Sequence, residues 1–197
     1  MNRREFLIGS LAGTAGLVGG LLVPAIGSAS DEPTAVDAGF CTDMSVHHLQ
    51  ALAMCQRVLG RDTGDPVQAA AAEVLQNQSI EVGQMRAWLT DWGRPTTTPD
   101  LVMGWMGAND GTGMPVEMMP GLASDDEMRE LSELTGLDQG RRWLELMRAH
   151  HEGGVAMATA ASELASSPKV IRIASTQAET QAFEIAQYDH LLATAYA

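Results

Sequence analysis

The chain has few basic side chains, and this shortage limits the partners that it can have. Its 197 residues include 12 Lys and Arg against 25 Asp and Glu, which gives a formal net charge of −13. Nucleic acids and anionic membrane surfaces are bound through basic patches, so we expect neither as a partner. The excess of carboxylates is compatible with attracting cations, and it also favours solubility.

Cysteine is scarce as well, and no nucleophile motif is present. If Cys41 and Cys55 lie on one helix, a rise of about 1.5 Å per residue places them about 21 Å apart, too far for a disulfide. We therefore expect two free thiols, with Cys55 packed in the core. The chain lacks a Gly-x-Ser-x-Gly motif and a strand–loop–helix phosphate site, so the sequence gives no positive evidence for an enzyme.

The first 29 residues have the features of an export signal. A twin-arginine pair, Arg3-Arg4, precedes an apolar, glycine-rich stretch over 7–26, and residues 27–29 are small enough for a signal peptidase. The pattern resembles a Tat signal; a Sec signal or an uncleaved anchor are the alternatives, because the apolar stretch nearly spans a bilayer. We expect an extracellular, periplasmic or cell-surface protein with no stable membrane span after cleavage, and a polar linker over 30–36.

Helical spacing of apolar residues predicts an all-α fold with four long helices. Proline and glycine interrupt the pattern over 93–137, where we expect an irregular connection and one short extra helix opened by the capping box Ser124-Asp125-Asp126-Glu127. Asp65 is the expected N-cap of the second helix, with Pro66 at its first position. The predicted long helices cover 37–60, 65–92, 138–165 and 168–195.

The sequence repeats itself at an offset of 103 residues. Matching residues recur at this offset without drift, which chance explains poorly. We predict that 37–92 and 138–197 are two copies of one helical hairpin, together forming a ferritin-like four-helix bundle as a single domain over 37–197. The matched pairs are Phe40 and Trp143, Met44 and Met147, His47 and His150, His48 and His151, Met54 and Met157, Gln78 and Gln181, and Glu81 and Glu184.

The repeated polar residues fall on helix faces that a bundle buries. His47 and His150 lie on such seams, whereas His48 and His151 are rotated by about 100° and are expected on the flank. Counting back from each hairpin turn places one His, one Glu and one Gln at the same height in each copy.

Two buried carboxylates cost several kcal/mol each unless they are paired or bound to a cation. One solution is a metal site, because neutral imidazole and carboxylate are common ligands. The other is a metal-free cluster in which each His donates to a Glu. The candidate metal ligands are His47, His48, Glu81, His150, His151, Glu184, Met44 and Met147.

The donor set favours copper first and zinc second. A ferritin-type di-iron site needs Glu-x-x-His motifs, and neither His47 nor His150 has a Glu three residues before it. Imidazole with thioether suits a softer or borderline ion. Five further methionines between 103 and 119 are expected either to collect Cu(I) through exposed thioethers or to cover one end of the bundle.

Phe40-x-x-Asp43-Met44-x-x-His47-His48, Gln78-x-x-Glu81 and their second copies resemble the domain-of-unknown-function family 305. The resemblance covers nearly the whole chain after the signal. It implies a ferritin-like bundle, export and a link to copper, carried by the His-His, Met and Glu positions. The family's Met-Pro-Gly-Met element here reads Met119-Pro120-Gly121-Leu122.

Together these features predict an exported copper-binding protein that serves sequestration or tolerance outside the cytoplasm. The alternatives are a metal-dependent oxidoreductase that uses the same residues and a metal-free structural or interaction bundle.

Overall fold

The computed structural model describes residues 32–197, which are predominantly helical. The predicted signal peptide, 1–29, lies outside the described residues. Within them the predicted all-α bundle is confirmed, and no described helix is long and apolar enough to cross a membrane. The helices are α1 (Ala35–Val58), α2 (Asp65–Asp91), α3 (Asp125–Glu133), α4 (Gly136–Leu164) and α5 (Pro168–Ala193).

The first helix begins two residues before its predicted start, so positions 35 and 36 of the expected linker are helical. Thr34 is the N-cap, and its capping box is completed by Asp37, whose carboxylate accepts from the Thr34 backbone at 2.8 Å. Asp37 also accepts the backbone N–H groups of Ser166 and Ser167. Burial alone would raise the pKa of Asp37, but these hydrogen bonds outweigh it and lower the pKa. One carboxylate thus ties the start of α1 to the turn before α5.

The start of α2 corrects one detail of the sequence interpretation. The N-cap is Gly64, not Asp65, and no side chain caps the helix. Gly64 has a φ of 88°, a conformation that glycine adopts without strain. Pro66 still occupies the first turn, where its missing N–H costs no hydrogen bond.

The connection between the hairpins is irregular, as predicted, and is held against α1 by a buried carboxylate. Its strands β1 (Leu101–Val102) and β2 (Met114–Pro115) pair antiparallel. Asp43 Oδ2 accepts the Met103 backbone N–H at 2.7 Å and the Trp105 indole N–H at 2.8 Å. Short 3₁₀ turns at Gly104–Met106, Ala108–Gly111 and Val116–Met118 complete the segment, and the capping box of Ser124 opens α3 as predicted.

The bundle is made of the hairpins α1–α2 and α4–α5, which meet mainly where α1 packs on α4. Its core contains two apolar clusters. The Phe40 cluster includes Cys41, Met85 and Met157, and the Trp143 cluster includes Cys55, Val74 and Tyr188. Both cysteines are buried and unpaired, which confirms the expectation of free thiols.

A polar layer separates the two clusters on all four long helices. On α1 the Phe40 cluster ends at Met44 and the Trp143 cluster begins at Ala51, with the histidine pair between them; α4 repeats this order reversed, from Met147 to Met157. We call the buried polar residues between the clusters, together with the partly exposed Glu81, the histidine layer. Its members are His47, His48, Gln78, Glu81, His150, His151, Gln177, Gln181 and Glu184.

Candidate metal centre

Each hairpin contains a short hydrogen bond between a histidine and a glutamate. His48 Nε2 lies 2.7 Å from Glu81 Oε2, and His151 Nε2 lies 2.6 Å from Glu184 Oε2. The histidine side chains are fully buried, while the glutamates retain 22% and 10% exposure. We call His48 with Glu81 the first half-site and His151 with Glu184 the second half-site.

The other histidine of each pair lies at the contact between α1 and α4. The rings of His47 and His150 are 3.7 Å apart between centroids and tilted by 32°. His150 Nε2 donates to the His47 carbonyl at 3.0 Å. Both side chains are completely buried. The repeated positions therefore meet across the interface between the two hairpins.

Burial keeps this ring pair neutral. It lowers the pKa of His47 and of His150 well below the usual value, and the neighbouring histidines lower it further. A neutral imidazole has one unprotonated nitrogen, and this is the form that binds metal ions. At neutral pH these two rings are in the state that a metal requires.

The free ring nitrogens fit the pattern of metal-binding histidines. In His48, His150 and His151 the Nε2 atom is engaged by an oxygen, whereas Nδ1 has no hydrogen-bond partner among the described residues. Metal-bound histidines commonly donate one N–H to a carboxylate or carbonyl and bind the ion through the other nitrogen. Neither nitrogen of His47 forms a well-aligned hydrogen bond in this region, although the nearby Pro120 carbonyl favours its protonated form. The donor set therefore fits a copper or zinc ion chemically.

The centre is not a preformed cage. Within residues 32–197, no three His, Cys, Asp or Glu side chains converge closely enough to enclose an ion. Binding would require rotation of imidazole rings or opening of a His–Glu hydrogen bond. The predicted residues are therefore gathered in one layer, but they are arranged as two half-sites around a ring pair.

One sequence prediction about this layer is wrong. His48 and His151 were expected on the flank of the bundle, yet both are fully buried, and they are the residues that contact the glutamates. The reason is that α1 and α4 are each covered on two sides, by their hairpin partner and by each other. Adjacent residues, about 100° apart on a helix, can then both face protein.

The predicted methionines lie next to the layer but in different apolar clusters. Met44 belongs to the Phe40 cluster and Met147 to the Trp143 cluster, and both are fully buried. In the connection, Met103 and Met119 are also buried, and Met118 is 65% exposed. The expectation of a set of exposed thioethers is therefore wrong. Most of the connection methionines instead cover the Phe40 cluster, in agreement with the alternative prediction that they cover one end of the bundle.

The Met119-Pro120-Gly121 element packs against the backbone of α4 at the level of the ring pair. A side-chain carbon at Gly153 would collide with the Pro120 carbonyl, and one at Gly121 would lie 2.8 Å from the His150 carbonyl. These two glycines therefore allow the connection to contact α4 at the level of the histidines. The element's place beside the layer does not depend on a methionine at position 122.

Two further residues contact the half-sites and were not among the predicted ligands. Gln177 Nε2 donates to Glu81 Oε2 at 3.1 Å, and the ring of Tyr188 lies 5.6 Å from that of His151. Both are buried residues of α5. The repeat search did not select them because their counterparts, Val74 and Met85, are different residue types.

Comparison with known proteins identifies the family of the chain. The family model described as "Domain of unknown function (DUF305)" matches residues 37–192. No match was found among curated proteins. A candidate secreted DUF305 protein from Streptomyces coelicolor is 38% identical with a TM-score of 0.73, over 84% of this chain and 94% of that one.

Other solved structures share the fold at lower identity. A DUF305 fragment from Deinococcus radiodurans is 30% identical with a TM-score of 0.68, over 82% of this chain and 97% of that one. CopM in its Cu(I)-bound form is 21% identical with a TM-score of 0.63, over 82% and 98%. At that identity CopM supports the fold alone. The family match over most of the described residues shows that this chain belongs to the DUF305 family.

Proposed function

We propose that this protein is exported and binds copper in the histidine layer, where it sequesters the ion and contributes to copper tolerance outside the cytoplasm. The observation that carries the proposal is the set of four buried histidines with unpartnered ring nitrogens beside two glutamates. Leaving a buried polar atom without a partner costs about 1–3 kcal/mol, and a bound ion would remove that cost. CopM, which shares the fold, has been crystallised with Cu(I), Cu(II) and silver.

A polar cleft between α2 and α5 is the candidate route by which a cation would reach the histidine layer. It is lined by Gln78, Glu81, Gln177, Gln181 and Glu184, together with Val74, Asn77 and Thr180. Its two ionisable side chains are both glutamates, which attract a cation and, unlike the fully buried histidines of the two half-sites, keep 22% and 10% exposure. We propose that copper enters here and reaches the buried histidines through the glutamates.

Equilibrium competition against a chromophoric Cu(I) chelator tests copper binding, with a parallel zinc titration as the alternative ion. The full chain should bind copper tightly, and His150→Ala should weaken binding by at least about tenfold, or about 1.4 kcal/mol. His190→Ala is the matched control, because His190 is an exposed histidine in the last turn of α5, outside the histidine layer. Failure of the wild-type chain to bind copper at micromolar levels, or equal losses in both variants, would refute the proposal.

Export and tolerance need separate measurements in the producing cell. The protein recovered outside the cytoplasm should begin close to Ser30, as N-terminal sequencing would show. A strain lacking the protein should stop growing at a lower copper concentration than its parent. Recovery of the full-length chain in the cytoplasm, or unchanged copper sensitivity, would contradict these parts of the proposal.

A metal-free polar core is the second candidate function, and the two short His–Glu hydrogen bonds favour it. In that case each imidazole donates the hydrogen bond that its glutamate carboxylate needs, and the layer specifies how the hairpins pack. Protein purified without metal would then have the same melting temperature before and after copper is added. A copper-dependent rise in melting temperature separates the two candidates.

A further inference from the structure

The two half-sites are not equivalent, although the sequence repeat would make them so. At the offset of 103 residues, Met85 in the first copy is replaced by Tyr188 in the second. Val74 in the first copy is replaced by Gln177 in the second. Each substitution changes the donor atoms available around one His–Glu pair.

A thioether adjoins the first half-site. Met85 lies one turn after Glu81 on the same face of α2, is fully buried and belongs to the same apolar cluster as Met44. The carboxylate of this half-site is already engaged twice, because Glu81 Oε2 accepts from both His48 and Gln177. An imidazole whose half-site has two buried thioethers one turn away, Met44 before His48 and Met85 after Glu81, is a soft donor set.

The second half-site has one thioether fewer. Met147 lies one turn before His151, as Met44 lies one turn before His48, and it is fully buried. Tyr188 occupies the position equivalent to Met85, and its ring contacts His151. Val74, the counterpart of Gln177, lines the cleft beside Glu184 and has no group to donate. Within the described residues, Glu184 accepts a hydrogen bond from His151 alone. An ion that binds the hydrogen-bonded carboxylate oxygen therefore replaces one hydrogen bond at Glu184 and two at Glu81.

We infer that the half-sites differ in the oxidation state of copper that they select, an inference that rests on the proposed copper binding. The first half-site, with Met44 and Met85, selects Cu(I), and the second, with Met147 as its one thioether and with Glu184, selects Cu(II). Met85 is then the residue that sets Cu(I) preference. This follows from ligand softness, since thioethers favour Cu(I) and carboxylates favour harder ions.

Cys55 is the other soft group on the side of the second half-site. Burial, together with the charge of Glu184, raises the pKa of its thiol to about 12. The protonated thiol is a weak ligand, because a metal is bound by the thiolate. Cys55→Ala should therefore leave both copper affinities unchanged.

The test compares Cu(I) and Cu(II) affinities of the full chain and two pairs of variants. Met85→Leu should lower Cu(I) affinity by about tenfold or more and leave Cu(II) affinity within about twofold. Met128→Leu, in a methionine on α3, is the matched control and should change neither. Glu184→Gln should lower Cu(II) affinity more than Glu81→Gln does. Leucine conserves the volume of methionine, so these variants should fold.

X-ray absorption at the copper edge gives an independent readout. The Cu(I)-loaded wild-type protein should show more scattering from sulfur ligands than Cu(I)-loaded Met85→Leu, and the Cu(II)-loaded protein should show nitrogen and oxygen ligands only. Equal effects of Met85→Leu on both oxidation states, or sulfur scattering that this variant does not diminish, would overturn the inference while leaving copper binding intact. Absence of copper binding by the wild-type chain would instead overturn the proposed function.

Discussion

Among single residues, the ring pair of His47 and His150 is the feature with the strongest physical consequence. Two imidazoles that are 3.7 Å apart and fully buried can be accommodated only when both are neutral, because a charged ring would lose its hydration and face other histidines. The pKa of both is lowered for that reason. The folded protein therefore excludes protons that the unfolded chain would bind.

The stability of the metal-free protein should depend on pH through this pair. In the unfolded chain each histidine has a pKa near 6.5, and in the folded protein the pKa of both rings is lower. The contribution of this pair to the free energy of unfolding is therefore complete above about pH 6.5 and is lost as the pH falls. Between pH 7 and pH 5.5 we expect the free energy of unfolding, measured with urea, to decrease by about 1–3 kcal/mol.

A double variant, His47→Gln with His150→Gln, supplies the control for this prediction. It should have a flatter dependence on pH across the same range, whereas the exposed His190→Ala variant should behave as the wild type. An unchanged slope in the double variant would show that other groups cause the acid sensitivity.

The residues of the site could be predicted from the sequence, but not all of their contacts could. The duplicated His-His and Glu positions were recognisable because they recur at a fixed offset on faces that should be apolar. The pairing of His48 with Glu81 was missed, because helical periodicity alone treats one side of a helix as buried and α1 is covered on two. Gln177 has no counterpart of its own type, so no repeat could reveal it.

Among the helices and their connection, contact between the Met119-Pro120-Gly121 element and α4 depends on the absence of a side chain at Gly153. Most bounds of the long helices could be predicted to within about two residues from capping and proline signals. The path of the connection could not be predicted, because it depends on hydrogen bonds to the Asp43 carboxylate, which is about 60 residues away in the sequence, and on close backbone contacts.

Gly153→Ala should therefore destabilise the protein. The added methyl group would collide with the Pro120 carbonyl, and relieving such overpacking in a fixed backbone costs about 1–3 kcal/mol. Urea unfolding of the metal-free protein measures this loss.

Gly83→Ala is the matched control, because Gly83 lies in the interior of α2 and is exposed, with open space at its side-chain position. It should stabilise the protein by about 0.5–1 kcal/mol, since alanine has the higher helix propensity. Equal effects of the two substitutions would show that the connection does not pack tightly on α4.

For the whole molecule, the fold follows from duplication, and the site follows from how the two copies meet. The four-helix arrangement could be predicted from the repeat, the helical spacing and the short hairpin turns. The depth of the polar layer could also be predicted, and it lies between the two apolar clusters. The way its side chains pair depends on packing between the hairpins, and the periodicity of the sequence carries no information about that packing.

Copper should stabilise the folded protein, because the histidine layer exists only when both hairpins are assembled. At a free copper concentration about 100 times the dissociation constant, the gain is about 2.7 kcal/mol. For a domain of this size that corresponds to a rise in melting temperature of about 5–10 °C. Calorimetry with and without copper measures the shift, and His190→Ala should show the same rise; a melting temperature that copper leaves unchanged would support the metal-free core.

The location of the ion is the central claim, and anomalous diffraction from copper-loaded crystals tests it most directly. Data collected on both sides of the copper absorption edge should give difference peaks inside the bundle, between the Phe40 and Trp143 clusters and within bonding distance of the buried histidines. Peaks confined to surface groups such as His190 or Met118, with none in the histidine layer, would contradict the account.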